Sequence, residues 1–360
     1  MFPTLSRRRT LRAFAAALVI PAALALSTAC GHSSTATTAE GKTVLRYQGS
    51  TGQVMSWELA ENLGYFSKVK LQWEGDTTSG PANIQAAATK QIEFGGAFNG
   101  AVVKLAAGGA QVQSVISYYG SDDQTFTGYY VKDDANINSA RDLIGKKVGV
   151  NTLGAHHEFL TREWLHQQGL SEDEIKKVQL VVVPPVNTEE ALRSGQIDLA
   201  ALNGVFRETA VARGGIHPLF ADKDIFGKFS YGTLVFRKDF IAQNPDAVKD
   251  FVQGTARAIR WLQITPRDQV IAKFTEIITK RGRNENTKLL EYWRSSGLPV
   301  AGGVIAEKEI QIWIDWLERN GELPKGKVKA TDLFTNKDNP YSNGTFGPTT
   351  GPTGEAVAAK

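Results

Sequence analysis

The chain has 360 residues, of which 42% are hydrophobic and 22% charged, and it contains one cysteine. This length suggests two domains or one large core, and the composition excludes a collagen-like, wholly disordered or multi-span membrane protein. A single cysteine excludes an intramolecular disulfide framework and a multi-cysteine metal site. Without the four arginines that precede residue 13, the basic residues equal the 37 acidic ones, so a basic footprint for nucleic acid is missing.

The first thirty residues have the pattern of an export signal. Arg7, Arg8, Arg9 and Arg12 precede an uncharged run over 13–26 that is too short to span about 30 Å of hydrocarbon. Small residues then lead to Cys30, as in a bacterial lipobox. We therefore expect a signal peptide over residues 1–29 and a lipid on Cys30, with ordinary cleavage after Ala29 as the alternative; export by the Sec or the twin-arginine route stays open.

Residues 30–42 are rich in Ser, Thr and Ala and predict a flexible tether. From Thr43 onward, strand-like and helix-like segments alternate. The predicted elements are a helix over 57–63, a strand over 69–73, a helix from Pro81, and strands over 148–150 and 180–183. Gly64 and Gly169 have the pattern of residues that follow a helix end. This alternation predicts an α/β fold with mainly parallel sheets flanked by helices.

The C-terminal third is more helical. Asn244-Pro245 and Thr265-Pro266 are typical of helix starts, and apolar residues at 310, 313, 314 and 317 predict an amphipathic helix that ends near Gly321. Gly, Pro, Thr and Asn dominate after residue 335, which predicts a disordered tail over 336–360.

One internal similarity indicates two related halves. Residues 91–96 lead to Asn99-Gly100, and the similar residues 196–201 lead to Asn203-Gly204. Each run follows a predicted helix and ends a predicted strand in a tight turn. Open α/β sheets bind ligands beyond the carboxyl ends of their strands, so both Asn-Gly pairs are expected on one cleft.

Two predicted helix starts have the character of anion sites. Ser79-Gly80-Pro81 and the segment from Thr152 through Gly154 and Ala155 to His156 place small residues before a helix, where free N–H groups and the helix dipole attract carboxylates, sulfonates or phosphates. Motifs for catalysis are missing: there is no complete P-loop, no G-x-G-x-x-G after a strand and no G-x-S-x-G.

His157-Glu158 begins an H-E-x-x-H motif that fails at Thr161. Adjacent histidines on a helix point about 100° apart, so His156 and His157 are interpreted as facing solvent or a ligand rather than holding a metal. We therefore expect no enzyme, no cofactor and no metal.

Several stretches resemble a known family, the nitrate/sulfonate/taurine-type substrate-binding proteins of bacterial ABC importers. The resemblance covers residues 43–271. It is carried by Leu63-Gly64-Tyr65-Phe66, Ser79-Gly80, the run 137–150 (INSARDLIGKKVGV), Ser194-Gly195-Gln196-Ile197-Asp198, and Phe236-Arg237-Lys238-Asp239-Phe240 with Asn244-Pro245.

The resemblance implies a two-lobed periplasmic-binding-protein fold joined by two crossing strands. Lobe one would comprise 43–126 and 232–335, and lobe two 128–230. The chain would be a lipid-anchored monomer on the extracytoplasmic side of the membrane, which closes over a small solute and delivers it to a permease driven by ATPase subunits. The implied solute contacts are Gln48, Thr51, Ser79, Gly80, Asn99, Gly100, Thr152, Gly154, Ala155, His156 and Asn203.

The solute itself stays open. Helix starts without an identifiable cleft arginine favour a sulfonate such as taurine, or nitrate. Relatives of the same fold bind pyrimidine thiamine precursors, for which His156 and aromatic residues would stack on a ring. A further class with this fold is the pyrimidine-forming thiamine-biosynthesis enzyme, which the export signal and the single cysteine disfavour. A receptor sensor domain would need a membrane span after the lobes, and the sequence has none.

Overall fold

A computed structural model of the chain describes residues 35–357. The predicted signal peptide and the predicted lipid site at Cys30 lie outside the described residues. The prediction of a flexible tether is wrong for residues 36–42, because this segment turns back on the first strand: Thr37 bridges Thr43, and Val44 N donates to Ala36 O at 2.9 Å.

Strands and helices alternate through the first two thirds, and helices dominate the last third. The strands are β1 (Thr43–Gly49), β2 (Val69–Asp76), β3 (Phe94–Phe98), β4 (Val112–Ser121), β5 (Gly128–Lys132), β6 (Lys147–Val150), β7 (Gln179–Val182), β8 (Leu199–Leu202), β9 (Ile216–Ala221) and β10 (Phe229–Arg237). The helices are α1 (Ser56–Asn62), α2 (Gly80–Ala88), α3 (Asn99–Ala107), α4 (His156–Gln167), α5 (Glu172–Ile175), α6 (Pro185–Arg193), α7 (Gly204–Arg213), α8 (Asp222–Phe226), α9 (Lys238–Gln243), α10 (Pro245–Ile264), α11 (Arg267–Arg281) and α12 (Lys308–Arg319).

Local sequence signals explain many of these boundaries. Gly64 and Gly169, just beyond the ends of α1 and α4, have φ of +71° and +79°, which glycine adopts without steric cost. Pro81 and Pro245 stand in the first turns of α2 and α10, where a missing N–H costs no helical hydrogen bond. The predictions for these helices are confirmed, as is the amphipathic helix α12.

Across residues 35–357, the ten strands form three sheets. β1 pairs with β2 in parallel, a three-stranded sheet has the order β3-β10-β4, and a five-stranded sheet has the order β7-β6-β8-β5-β9. The prediction of mainly parallel sheets is wrong for β10, which is antiparallel to both neighbours, and for β5, which is antiparallel to β8 and β9. Each of these strands follows a strand of another sheet, through residues 122–127 before β5 and through the short helix α8 before β10. The long crossover that joins consecutive parallel strands of one sheet is therefore not required for either.

Within residues 35–357, the chain crosses twice between the three-stranded and the five-stranded sheet. Residues 122–127 lead from β4 in the three-stranded sheet to β5 in the five-stranded sheet, and residues 222–228 lead back from β9 to β10. The buried core does not divide at these crossings, since one cluster contains Phe98 and Trp313 as well as Tyr129 and Leu165. The division into two lobes with the predicted boundaries stays a prediction.

The segment after residue 335 is ordered through residue 357, so the prediction of a disordered tail is wrong there. Tyr341 is buried and donates from its hydroxyl to Gly351 O at 2.8 Å. Arg257 and Arg260 on α10 donate from Nε to Pro352 O and Thr350 O, at 2.8 and 2.7 Å. These distant donors satisfy backbone carbonyls that a Gly- and Pro-rich segment cannot pair by itself.

Candidate functional site

Two loops from different sheets meet at a point that the sequence predicted. Ser79 caps α2 and accepts from Ala82 N at 3.4 Å, and Thr152 follows β6. The two hydroxyl oxygens are 3.4 Å apart, and Asn151 Nδ2 donates to Thr78 O at 3.3 Å. We call residues 77–80 and 151–156 the junction loops. Both lie at the carboxyl end of a strand, as expected of binding residues in α/β sheets.

The glycines of the junction loops are constrained for different reasons. At Gly80, an added Cβ would lie 3.1 Å from Ala97 Cα, so the helix start packs closely on β3. At Gly154, space is open, but φ is +70°. Gly154 N donates to Glu158 Oε2 at 2.7 Å, and Asn151 N donates to His157 Nδ1 at 3.4 Å. The Glu158 carboxylate therefore already occupies an N–H group at the start of α4. This helix start is less available to an external anion than the sequence predicts.

Gln48 and Thr51, predicted as solute contacts, form internal hydrogen bonds. Gln48 Oε1 accepts from Asn83 Nδ2 at 3.0 Å, and Asn83 Oδ1 accepts from Gly96 N at 2.6 Å. Thr51 Oγ1 donates to Asp76 Oδ2 at 2.6 Å. Gln48 thus ties the end of β1 to α2, and Thr51 ties the loop after β1 to the end of β2.

The two Asn-Gly pairs do not share one surface. Asn99 is 1% exposed, and its Nδ2 donates to Glu309 O at 2.9 Å and to Ser230 O at 3.4 Å. Gly100 lies against the rings of Phe98 and Phe159. Asn203, at the start of α7, is exposed. The expectation of a common cleft is wrong for Asn99 and Gly100, because α12 covers the start of α3.

His156 is also buried rather than facing solvent. Its ring stacks on Tyr231, with centroids 4.0 Å apart, and lies 5.7 Å from the Phe98 ring. Its Nε2 is 3.5 Å from Asp222 Oδ2. Burial lowers the pKa of His156 well below its usual range, with a smaller effect from His157, so the ring is neutral at pH 7. His157 is buried as well, which lowers its pKa to about 4.

Aromatic rings connect the junction loops to α1. Trp57 lies 5.8 Å from Tyr118, Tyr118 lies 4.9 Å from Tyr119, and Tyr119 lies 6.2 Å from His156, all between ring centroids. We call these four residues the aromatic series. Burial raises the pKa of both tyrosines, so they are neutral donors. Gly96 leaves room for Tyr118, since an added Cβ would lie 2.8 Å from its ring.

Sequence reasoning missed the two tyrosines and Asp222, although Tyr118-Tyr119 near the end of β4 was an available signal. It also missed two arginines. Arg281 Nη2 donates to Gln53 O at 2.8 Å, and the Arg283 guanidinium lies 4.2 Å above the Trp73 ring. Both arginines also contact the Glu58 carboxylate, at 2.9 and 3.0 Å. Arg281 also pairs with the Glu285 carboxylate at 2.5 Å, so two carboxylates balance the two arginines within the protein.

Two searches of the described residues gave negative results. Between residues 35 and 357, no group of three or more His, Cys, Asp or Glu side chains could hold a metal ion. Over the same range, every helix is too short or too polar to cross a membrane.

Comparisons with known proteins place the chain in context. The NMT1/THI5-like family model matches residues 53–269. A putative binding protein of Brucella abortus (strain 2308) is 29% identical over 207 residues, which make up 56% of this chain and 60% of that protein. The chain thus spans less than two thirds of the length of the curated relatives it matches.

Solved structures share the fold at low identity. The alkanesulfonate-binding protein SsuA from Xanthomonas axonopodis pv. citri bound to MOPS has a TM-score of 0.63 and 18% identity, over 84% of this chain and 99% of SsuA. The periplasmic nitrate-binding protein NrtA from Synechocystis PCC 6803 has a TM-score of 0.66 and 12% identity, over 86% and 92%. The desulfurization enzyme DSZB also shares the fold, with a TM-score of 0.57 and 14% identity over 84% and 99%. These likenesses confirm the predicted periplasmic-binding-protein fold.

Proposed function

The chain belongs to the NMT1/THI5-like family, and from that membership we propose that it is an extracytoplasmic solute-binding protein of an ABC importer and not an enzyme. It captures a small sulfonate-type anion or nitrate between two lobes and delivers it to a membrane permease. Support comes from the fold, shared with SsuA and NrtA, and from relatives described as binding proteins.

The observation that carries this proposal is the meeting of Ser79 and Thr152, 3.4 Å apart, at the carboxyl ends of strands in two sheets. Each hydroxyl can donate to an anion, and Ser79 stands at the positive end of the α2 dipole. A solute that replaces their mutual contact would bond to both loops at once. It would thereby stabilise the closed arrangement relative to an open one, as population shift requires.

A specific observation supports a second candidate. The aromatic series reaches the second junction loop at the neutral His156, and its tyrosines, Tyr118 and Tyr119, are half-buried. Flat aromatic surfaces favour a planar ring, so a pyrimidine thiamine precursor is the alternative solute. The Ser79 hydroxyl can donate a hydrogen bond to an anion, whereas a neutral heterocycle would bind mainly by stacking on the aromatic rings. A contribution of Ser79 to binding therefore favours the anion.

The test is a thermal-shift screen of the exported form with sulfonates, nitrate, carboxylates and pyrimidines. A solute at about 100 times its Kd stabilises by about 2.7 kcal/mol. We expect sulfonates or nitrate to raise the Tm, and Ser79→Ala combined with Thr152→Ala to weaken binding about tenfold. Thr89→Ala, at the other end of α2, is the control. Shifts with pyrimidines alone would favour the second candidate, and turnover of any solute would contradict both.

Membrane attachment is part of the same proposal. Cys30 carries the lipid, and it precedes the described part of the chain by five residues in the sequence. Mass spectrometry of the mature protein is expected to find an acylated Cys30 at the N-terminus, and Cys30→Ser to release the protein from membranes. A mature N-terminus at Cys30 without acyl groups would contradict the anchor and leave the binding proposal intact.

A further inference from the structure

A pocket that no junction-loop residue lines contains three arginines. It has a volume of about 380 Å³ and is bordered by the end of α10, the start of α11 and residues 293–301. Asp122 and Gln124, in the first crossing between the sheets, line its other side. We call it the arginine pocket, after Arg260, Arg267 and Arg294. Its volume falls in the range of small-molecule sites, roughly 300–1,000 Å³.

Hydrogen bonds within the protein hold each of the three guanidinium groups in place. Each donates from Nε: Arg260 to Thr350 O at 2.7 Å, Arg267 to Trp293 O at 2.8 Å, and Arg294 to Glu208 Oε2 at 2.9 Å. Within residues 35–357, the terminal nitrogens of Arg260 and Arg294 have no other hydrogen-bond acceptor, whereas those of Arg267 donate to Asp268 Oδ1 and Glu291 O. A guanidinium fixed through Nε presents its remaining N–H groups in a set direction, which suits a planar or tetrahedral oxyanion.

The charge of the pocket is not balanced by its lining. The acidic side chain among the lining residues is Asp122, and its oxygens are already occupied. Oδ1 accepts from Gln124 N and Thr125 N at 2.8 and 2.7 Å, and Oδ2 accepts from Ser295 Oγ at 2.7 Å. Glu208 and Asp268, outside the lining, pair with Arg294 and Arg267 at 2.9 and 3.4 Å, so within residues 35–357 Arg260 is the pocket arginine without a carboxylate partner.

The walls of the pocket are fixed by polar contacts. Gln263 donates from Nε2 to Leu298 O and Val300 O at 3.0 and 2.8 Å, and its Oε1 accepts from Gly302 N at 3.2 Å. Together with the contact between Ser295 and Asp122, these bonds hold residues 295–302 against α10 and the crossing segment. A site whose walls are already ordered loses little entropy when a ligand binds.

We propose that the arginine pocket binds a small organic or inorganic molecule that carries two or more acidic groups, carboxylate or phosphate. One acidic group needs one arginine fork, whereas this pocket offers two, on Arg260 and Arg294, around a volume larger than a single nitrate or sulfonate group fills. The site is separate from the junction loops, so it does not depend on the solute proposed for them.

Titration calorimetry at low ionic strength tests this inference, with pyrophosphate and citrate as probes and chloride and nitrate as monovalent controls. We expect saturable one-to-one binding of at least one probe at millimolar concentration or below. Pyrophosphate alone would identify a phosphate site, and citrate alone a carboxylate site. Absence of binding by both, or equally strong binding of chloride, would overturn the proposal.

Variants locate the binding on the molecule. Arg260→Gln is expected to weaken probe binding about tenfold, the scale of one lost charged hydrogen bond. The matched control is Arg257→Gln, because Arg257 lies on the same helix and makes the same Nε contact to the C-terminal segment, at 2.8 Å, outside the pocket. Arg294→Gln is the second variant should Arg260→Gln not fold, since the Arg294 side chain is 46% exposed. Equal losses in Arg257→Gln and the pocket variants would overturn the assignment.

Discussion

Replacing Asp222 by asparagine should make the protein more stable at neutral pH, by an amount that grows with pH. The Asp222 side chain is 0% exposed, and its Oδ2 accepts from Ser121 Oγ at 2.7 Å and from Thr127 N at 3.1 Å. Its Oδ1 has no hydrogen-bond partner in the described part of the chain, and neither has His156 Nε2, 3.5 Å from Oδ2. An asparagine keeps both accepted bonds when its amide oxygen takes the position of Oδ2, and its amide nitrogen then takes the position of Oδ1.

The magnitude follows from the titration of Asp222. Burial raises its pKa to about 6, against an ordinary value of 3.8. The folded state therefore binds this proton more tightly than the unfolded state. The contribution of Asp222 to stability is most favourable below about pH 4 and is lost as the pH rises to 6 and beyond. A shift of about two pKa units corresponds to ~3 kcal/mol at full ionisation.

His156 and His157 act in the opposite direction. Burial lowers the pKa of both rings, so the stability they contribute is complete above about pH 6.5 and is lost as the pH falls towards 4. Because both histidines are present in the wild type and in Asp222→Asn, their effect largely cancels in the difference. The free energy of unfolding of Asp222→Asn minus that of the wild type should rise by roughly 2 kcal/mol from about pH 4 to about pH 7.5.

Urea unfolding at a series of pH values measures this difference. Asp224→Asn is the control, since Asp224 is an exposed carboxylate of the same helix that accepts from Ala221 N at 2.9 Å. A constant difference between wild type and Asp222→Asn over this pH range would refute the reasoning, because it would mean that burial does not perturb this carboxyl group.

Three further substitutions test the packing of the chain. Trp313→Ala removes a side chain that is 0% exposed and should cost about 3–5 kcal/mol in urea unfolding, and a loss under about 1 kcal/mol would contradict its place in the core. Glu58→Ala leaves Arg281 and Arg283 without a shared carboxylate and should cost about 3 kcal/mol, whereas no loss of stability would contradict a buried ion network. Tyr341→Ala should expose residues 342–357 to limited proteolysis, and unchanged resistance would contradict the anchoring role of the ring.

The local elements were predictable because their signals lie within a few residues of one another. Ser171 and Glu174 form the capping box that their spacing indicates, with Ser171 N donating to Glu174 Oε2 at 2.8 Å. The meeting of Ser79 and Thr152 was predictable for a related reason. Both follow a strand directly, and the fold class brings the carboxyl ends of such strands together.

Features that depend on distant partners were not predictable. Asn99 was expected on a cleft, but its amide pairs with Glu309 O, 210 residues away, because α12 lies over it. The apolar stripe of α12 was visible in the sequence, whereas the surface that it covers was not. Composition likewise predicted disorder after residue 335, since nothing local indicates that Arg257 and Arg260 supply donors to that segment.

The position of Trp313 bears on how the proposed closure could work. Its ring lies 5.3 Å from Phe226, in the second crossing, and 6.3 Å from Phe229, which begins β10, so it packs where the chain returns between the sheets. Ser79 and Thr152 meet through a single 3.4 Å contact between hydroxyls. Rotation about the crossings would separate this weak contact while the core around Trp313 stays packed, since motion is smallest near the axis. We therefore expect the solute to enter beside Ser79 and Thr152, and not beside the packed aromatic residues around Trp313.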